Sequence, residues 1–100
     1  MPNTNFPAPG GAYTVTLHGG ENSTGTLTLT VNNGVLNSDA TWDHNGSSRN
    51  VTVSWDGTHL KWDGPHHRFL NGTWNGTQFS GNFDGQITHT NGNWTAVKTG

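Results

Sequence analysis

The stretch Val51-Thr52-Val53-Ser54-Trp55-Asp56-Gly57-Thr58-His59-Leu60-Lys61-Trp62-Asp63-Gly64 decides the fold. Apolar and polar residues alternate up to Trp55, a turn pair follows, the alternation resumes as far as Trp62, and a second Asp-Gly closes it. Alternation with a period of two marks a strand with one buried face. Asp-Gly and Asn-Gly supply the positive φ angles that tight hairpin turns require. The same unit recurs at Trp42-Asp43, with Gly46 close behind, at Trp74-Asn75-Gly76 and at Phe83-Asp84-Gly85. A strand that ends in a large ring and reverses at once, repeated along a chain, is an antiparallel meander.

Turn signals on either side divide the chain into about nine extended segments: Ala12–His18, Gly25–Asn32, Val35–Trp42, Ser48–Trp55, Thr58–Trp62, His66–Trp74, Thr77–Phe83, Ile87–Thr90 and Asn93–Lys98. Reading Asn33-Gly34, Asp56-Gly57, Asn75-Gly76 and Asn91-Gly92 as hairpin loops fixes a register for each pair. Val53 then meets Leu60, Val51 meets Trp62, Leu27 meets Ala40 and Gly25 meets Trp42. Trp94 lies opposite His89, and Phe79 covers Gly72. In this register Arg68 and Leu70 point inward, whereas His67, Phe69 and Asn71 point outward. The tight turns fall at one end of the sheet. The longer connections, around 19–24, 43–47, 63–65 and 84–86, fall at the other. So long a meander leaves two open edges unless it closes on itself. The expected fold is therefore all-β, an up-and-down antiparallel meander of eight to nine strands closed into a small barrel. An open sheet that pairs with another chain is the alternative.

Composition sets the outer limits. One hundred residues make one domain, with residues 1–11 an extended, Pro- and Gly-rich lead or linker and residues 12–100 the barrel. A chain of this length buries only about 60–65 % of its unfolded surface, so five Trp, four Phe and one Tyr must fill the core. Four cations, Arg49, Lys61, Arg68 and Lys98, face six carboxylates, which argues against nucleic acid as a partner. No apolar run reaches membrane-spanning length, so no membrane insertion is expected. The absence of cysteine excludes disulfides, thiolate nucleophiles and Cys-based zinc sites. From Met1 onward no signal-peptide pattern is read.

The C-terminal third carries Gly72-Thr73-Trp74-Asn75-Gly76-Thr77-Gln78-Phe79-Ser80-Gly81-Asn82-Phe83 and ends in Asn93-Trp94-Thr95-Ala96-Val97-Lys98. It resembles the strands of avidin-like and lipocalin-like (calycin) small barrels. That resemblance implies an up-and-down barrel with one small ligand in its mouth.

The long-loop end gathers the candidate ligand-binding residues Trp42, Asp43, His44, Trp62, Asp63, Arg68 and Phe83. Trp rings stack on the apolar face of a sugar, while carboxylates, amides and imidazoles satisfy its hydroxyls. An inward Arg68 would orient the ligand or stack on the nearby rings. The same residue types also serve a bland purpose, because turns demand Asp and Asn and the core demands Trp. A metal would need His18, His44 and His66 drawn together with Asp43 or Asp63; no local ligand spacing supports this, and no metal or other cofactor is expected. The expected function is a non-enzymatic binding module for a carbohydrate or other small polar-aromatic ligand. Its rivals are a cofactor-free enzyme using His44 with Asp43 or Asp63, and a structural or assembly domain. Phe69, read as outward-facing, marks an expected self-association surface.

Overall fold

The computed structural model describes residues 5–85 and 90–100. Among these residues ten strands follow one another: β1 Gly11–Gly19, β2 Ser23–Leu29, β3 Val31–Asn32, β4 Val35–Leu36, β5 Asp39–His44, β6 Ser47–Trp55, β7 Leu60–Asp63, β8 His67–Trp74, β9 Gln78–Gly85 and β10 Asn91–Lys98. Eight of them close into an antiparallel barrel in the order β1-β10-β9-β8-β7-β6-β5-β2. The short β3–β4 ribbon forms a separate two-stranded sheet whose Val31 and Leu36 pack against the barrel core. There is no helix among the described residues. Closure occurs because β1 pairs on one side with β2 and on the other with β10, so the barrel exposes no edge.

Eight strands enclose an interior about as wide as side chains can fill, and here it is filled. Trp42, Trp62, Phe69, Phe83 and Trp94 are all buried, together with Val15, Leu17 and Leu27. Trp62 stacks on Phe69 at 4.2 Å and 11° and meets Trp94 edge-on at 4.9 Å. The barrel is a ring-packed core rather than a cup.

The hairpin registers depart from expectation in one consistent way. Asn33-Gly34 forms the expected two-residue turn, with φ of 54° and 78° and Val31 opposite Leu36. Asn45-Gly46, at the end expected to carry long loops, forms the same turn with φ of 53° and 78°. The loops at Asp56 and Asn75 are wider. Asp56 Oδ1 accepts from the amides of Thr58 (2.8 Å) and His59 (2.7 Å), and Asn75 Oδ1 accepts from those of Thr77 and Gln78 (both 2.9 Å). These side-chain bonds stretch each loop to four residues, so Trp55 meets Leu60 and Trp74 meets Phe79. Val53 consequently meets Trp62, not Leu60. Between β2 and β5 the offset is the same, with Leu27 opposite Trp42 and Gly25 opposite His44. A shift of two residues leaves every side chain on its face, so the buried sets survive the error.

One departure does change faces. Asn71 adopts a left-handed conformation (φ 56°), and the β8–β9 register slips between Leu70 and Thr73. This bulge adds a residue to β8 and inverts everything before it. Phe69, expected outside, is fully buried opposite Phe83, and His67 turns inward as well. Arg68, expected inside, projects outward with 54 % of its side chain exposed. The carbonyls of Leu70 and Asn82, beside the bulge, both accept from Trp94 Nε1, at 3.1 and 3.0 Å. Trp94, not Phe79, covers Gly72.

The segment expected at 87–90 falls outside the described residues apart from Thr90, and His89 lies outside them too. β10 pairs directly with β9, Trp94 opposite Gly81, which replaces the expected hairpin at Asn91-Gly92.

Candidate functional site

The barrel has two unlike ends. At the lower end, where β6 and β8 finish, Phe6 from the lead lies on Phe79 and Trp55. At the upper end, the β1–β2 connection, the Asn45-Gly46 turn and the β7–β8 connection rise around an opening that holds Glu21, His44 and the buried His67.

Glu21 occupies the centre of this end. It sits in the β1–β2 connection and reaches toward His67 at the start of β8 and His44 at the end of β5. His67 Nε2 lies 2.8 Å from Glu21 Oε1. Ser23 Oγ donates to Glu21 Oε2 at 2.7 Å and lies 3.1 Å from His44 Nε2. A hydroxyl has one proton, and Ser23 gives it to the carboxylate, so Ser23 accepts from His44 and the His44 proton sits on Nε2. His44 Nε2 is also 3.7 Å from Glu21 Oε2. The two imidazole side chains are 7 % and 5 % exposed, and Glu21 29 %. Packing aims both rings: His44 lies parallel to Trp42 at 5.4 Å, and His67 meets Phe83 edge-on at 5.5 Å.

Burial alone would raise the Glu21 carboxyl, but the hydrogen bonds from Ser23 and His67 and the field of the imidazoles outweigh it and hold the group below its ordinary range. Burial pushes His44 down, against the opposing pull of Glu21, with His67 and His66 adding to the lowering. At neutral pH the network is therefore an ionised carboxylate holding a neutral His44.

Beside this network lies a cleft of about 70 Å³ bordered by Trp42, His44, Asn45, Ser47, Arg49, Pro65 and His66. Of the expected site residues it brings together Trp42 and His44 alone. Trp62 and Phe83 are core residues, 2 % and 1 % exposed, and Trp42 is buried too apart from its border with the cleft. Trp62 Nε1 is buried and has no hydrogen-bond partner among the described residues. Asp43 lies opposite Thr26 and Ser48 on the strand face turned away from Trp42 and His44. Asp63 pairs with Arg68 at 3.4 Å on the outer wall, where both are exposed. That wall carries a shallow groove of about 400 Å³ between β6, β7 and β8, bordered by Lys61, Asp63, Arg68 and Leu70. Among the described residues no set of three or more His, Asp or Glu side chains is placed to hold a metal ion.

Glu21, Ser23 and His67 are the members that sequence reading passes over. His67 is hidden by the bulge. Glu21 carries a local signal, as the only glutamate in the chain, placed in a Gly-rich connection where no turn requires it. Compared with protein-family models, curated proteins and solved structures, the chain matches none of them significantly.

Proposed function

We propose that this chain is a small binding module that takes the polar end of a carbohydrate or similar hydroxyl-rich ligand at the upper opening. The observation that carries this reading is the cleft beside His44, backed by the Glu21–Ser23–His67 network that fixes the ring. Its volume of about 70 Å³ has room for only a few waters. It therefore suits one hydroxymethyl, carboxylate or pair of hydroxyls, with the rest of the ligand lying across the rim. The rim offers the donors and acceptors such a group needs: the Asn45 amide, the Ser47 hydroxyl, the Arg49 guanidinium and the His66 imidazole. With the barrel interior filled by rings, such a ligand would be taken at the rim rather than inside the barrel.

A glycan array followed by titration of intrinsic Trp fluorescence tests the proposal, because Trp42 borders the cleft. His44→Ala and Arg49→Ala should each weaken binding at least tenfold, while Arg68→Ala on the outer wall should leave it unchanged. A silent array, or equal loss from Arg68→Ala, removes the assignment.

One observation favours a second reading. Ser23 Oγ, His44 Nε2 and Glu21 Oε2 share one small site, the grouping from which acid–base catalysis is built. It would run through His44 and Glu21 rather than through Asp43 or Asp63. Turnover of any array ligand by wild type, abolished in Glu21→Gln, would decide for it.

A further inference from the structure

The lower end of the barrel holds the lead as a binding protein holds a peptide. The Phe6 ring stacks on Phe79 (5.3 Å, 26°) and meets Trp55 edge-on (5.3 Å, 83°). The main chain at Asn5 and Phe6 is held by the β3–β4 ribbon as an added strand would be: Asn5 bridges Val35 antiparallel, and Phe6 N donates to the Gly34 carbonyl. Two side chains of the barrel clasp carbonyls of the lead, Trp55 Nε1 on Asn5 O at 3.1 Å and the Tyr13 hydroxyl on Pro9 O. Ala8 is buried at 4 % exposure. Edge pairing for affinity and a ring socket for selectivity are the two parts of strand-addition recognition. Pro7 and Pro9 limit the conformations the segment can adopt when free, and so lower the entropy lost on docking.

We propose that this lower end is a docking site for an extended segment bearing one aromatic residue, of the form Asn-Phe-Pro-Ala-Pro, and that its occupant in trans is the lead of a second copy of this chain. None of the contacts just described depends on the lead belonging to the same molecule. Gly10-Gly11, with Gly11 at φ 131° as the first residue of β1, is the joint between the lead and the barrel, and so the place where an exchanged lead would have to diverge. Exchange of an identical segment preserves every contact, so the cost of pairing two copies is small. At low concentration the chain's own lead wins, because a short linker supplies an effective concentration in the range of about 1 mM.

The test uses the full chain carrying Phe6→Ala, which vacates the ring socket, and a synthetic peptide of residues 2–10 standing for a second copy's lead. Trp fluorescence should change saturably on titration, since Trp55 lines the socket and bonds the segment. Wild-type protein, and a peptide that itself carries Phe6→Ala, should each respond at least tenfold more weakly. No saturable change, or an equal response to the altered peptide, overturns the proposal. If Phe6→Ala loses the barrel, recovery of the strand circular dichroism on adding the peptide becomes the readout, and failure to recover overturns it as well. Wild type refolded at about 1 mM should yield a two-chain species that Phe6→Ala lacks. A peptide that docks without any such species removes the second copy as occupant.

Discussion

His67 Nε2 and Glu21 Oε1 lie 2.8 Å apart across 46 residues of chain, joining the first connection of the barrel to the strand that carries the bulge. The pair ties the upper opening together. Two groups whose titration is lowered in the folded state, Glu21 and His44, sit at that opening.

Acid should act there in two stages. His44 titrates below its ordinary 6.5 in the folded state, so folding favours its neutral form. That contribution is complete above pH 6.5 and is lost as pH falls from there through the folded value. Glu21 titrates below its ordinary 4.5, so its contribution is complete above pH 4.5 and is lost as pH falls through its own folded value. Denaturant midpoints measured between pH 3 and 8 should show both steps. His44→Gln should remove the upper one. Glu21→Gln should remove the lower one and enlarge the upper one, because the carboxylate opposes the lowering of His44. It should also destabilise the protein by about 1–2 kcal/mol at pH 7 through the weakened bonds to Ser23 and His67.

The bulge makes a second prediction. Asn71 is held at φ 56°, where a Cβ is tolerated poorly and glycine freely. Both Asn71→Gly and Asn71→Ala lose the bond to Asn82 Oδ1 at 2.7 Å. Only Asn71→Ala also meets the left-handed penalty, so it should be less stable than Asn71→Gly by about 1–2 kcal/mol. Equal denaturation midpoints for the two variants would show that the backbone conformation at 71 carries no cost.

Phe69 is a core residue, so a change there should act on stability and not on association. Phe69→Ala should cost about 3–5 kcal/mol, the range for a buried Phe. Its mass in light scattering should match that of wild type at every concentration where both are folded. A mass shift with unchanged stability would contradict the buried position.

At Gly72 a methyl group would stand 2.7 Å from the Trp94 ring and 2.9 Å from the Leu60 carbonyl. Gly72→Ala should therefore displace Trp94 and strain its two bonds beside the bulge. A loss of about 1–3 kcal/mol is expected, with a change in Trp fluorescence emission as the indole environment shifts. Chemical denaturation followed by fluorescence reads both effects together.

The loop at Asp56 should tolerate Asn but not Ala. Asp56 Oδ1 caps the amides of Thr58 and His59, and Asn75 performs the same task at Thr77 and Gln78 with an amide oxygen. Those bonds hold the Asp56 carboxyl down to about 2, so the loop keeps its charge through mild acid. Asp56→Asn should keep wild-type amide exchange at Thr58 and His59, whereas Asp56→Ala should accelerate it.

The sequence by itself determined the strand class, the meander and the inward faces of most strands, because alternation and Asx-Gly turns are local properties. It also determined that closure was the remedy for two open edges. Errors of two residues in loop length, as at Asp56 and Asn75, left those faces untouched, since side chains repeat every second residue. What tertiary structure alone decided turns on a single residue. Asn71 enters the left-handed region where the bulge sits beside Gly81, with Trp94 bonding the Leu70 and Asn82 carbonyls. That bulge sends Arg68 to the outer wall, beside Asp63 of β7, and brings Phe69 and His67 inside. The candidate site was legible only at His44 and Trp42. The rest of it depends on Glu21 meeting a histidine 46 positions away. A contact of that kind has no local periodicity to announce it, and it exists only once the barrel has closed.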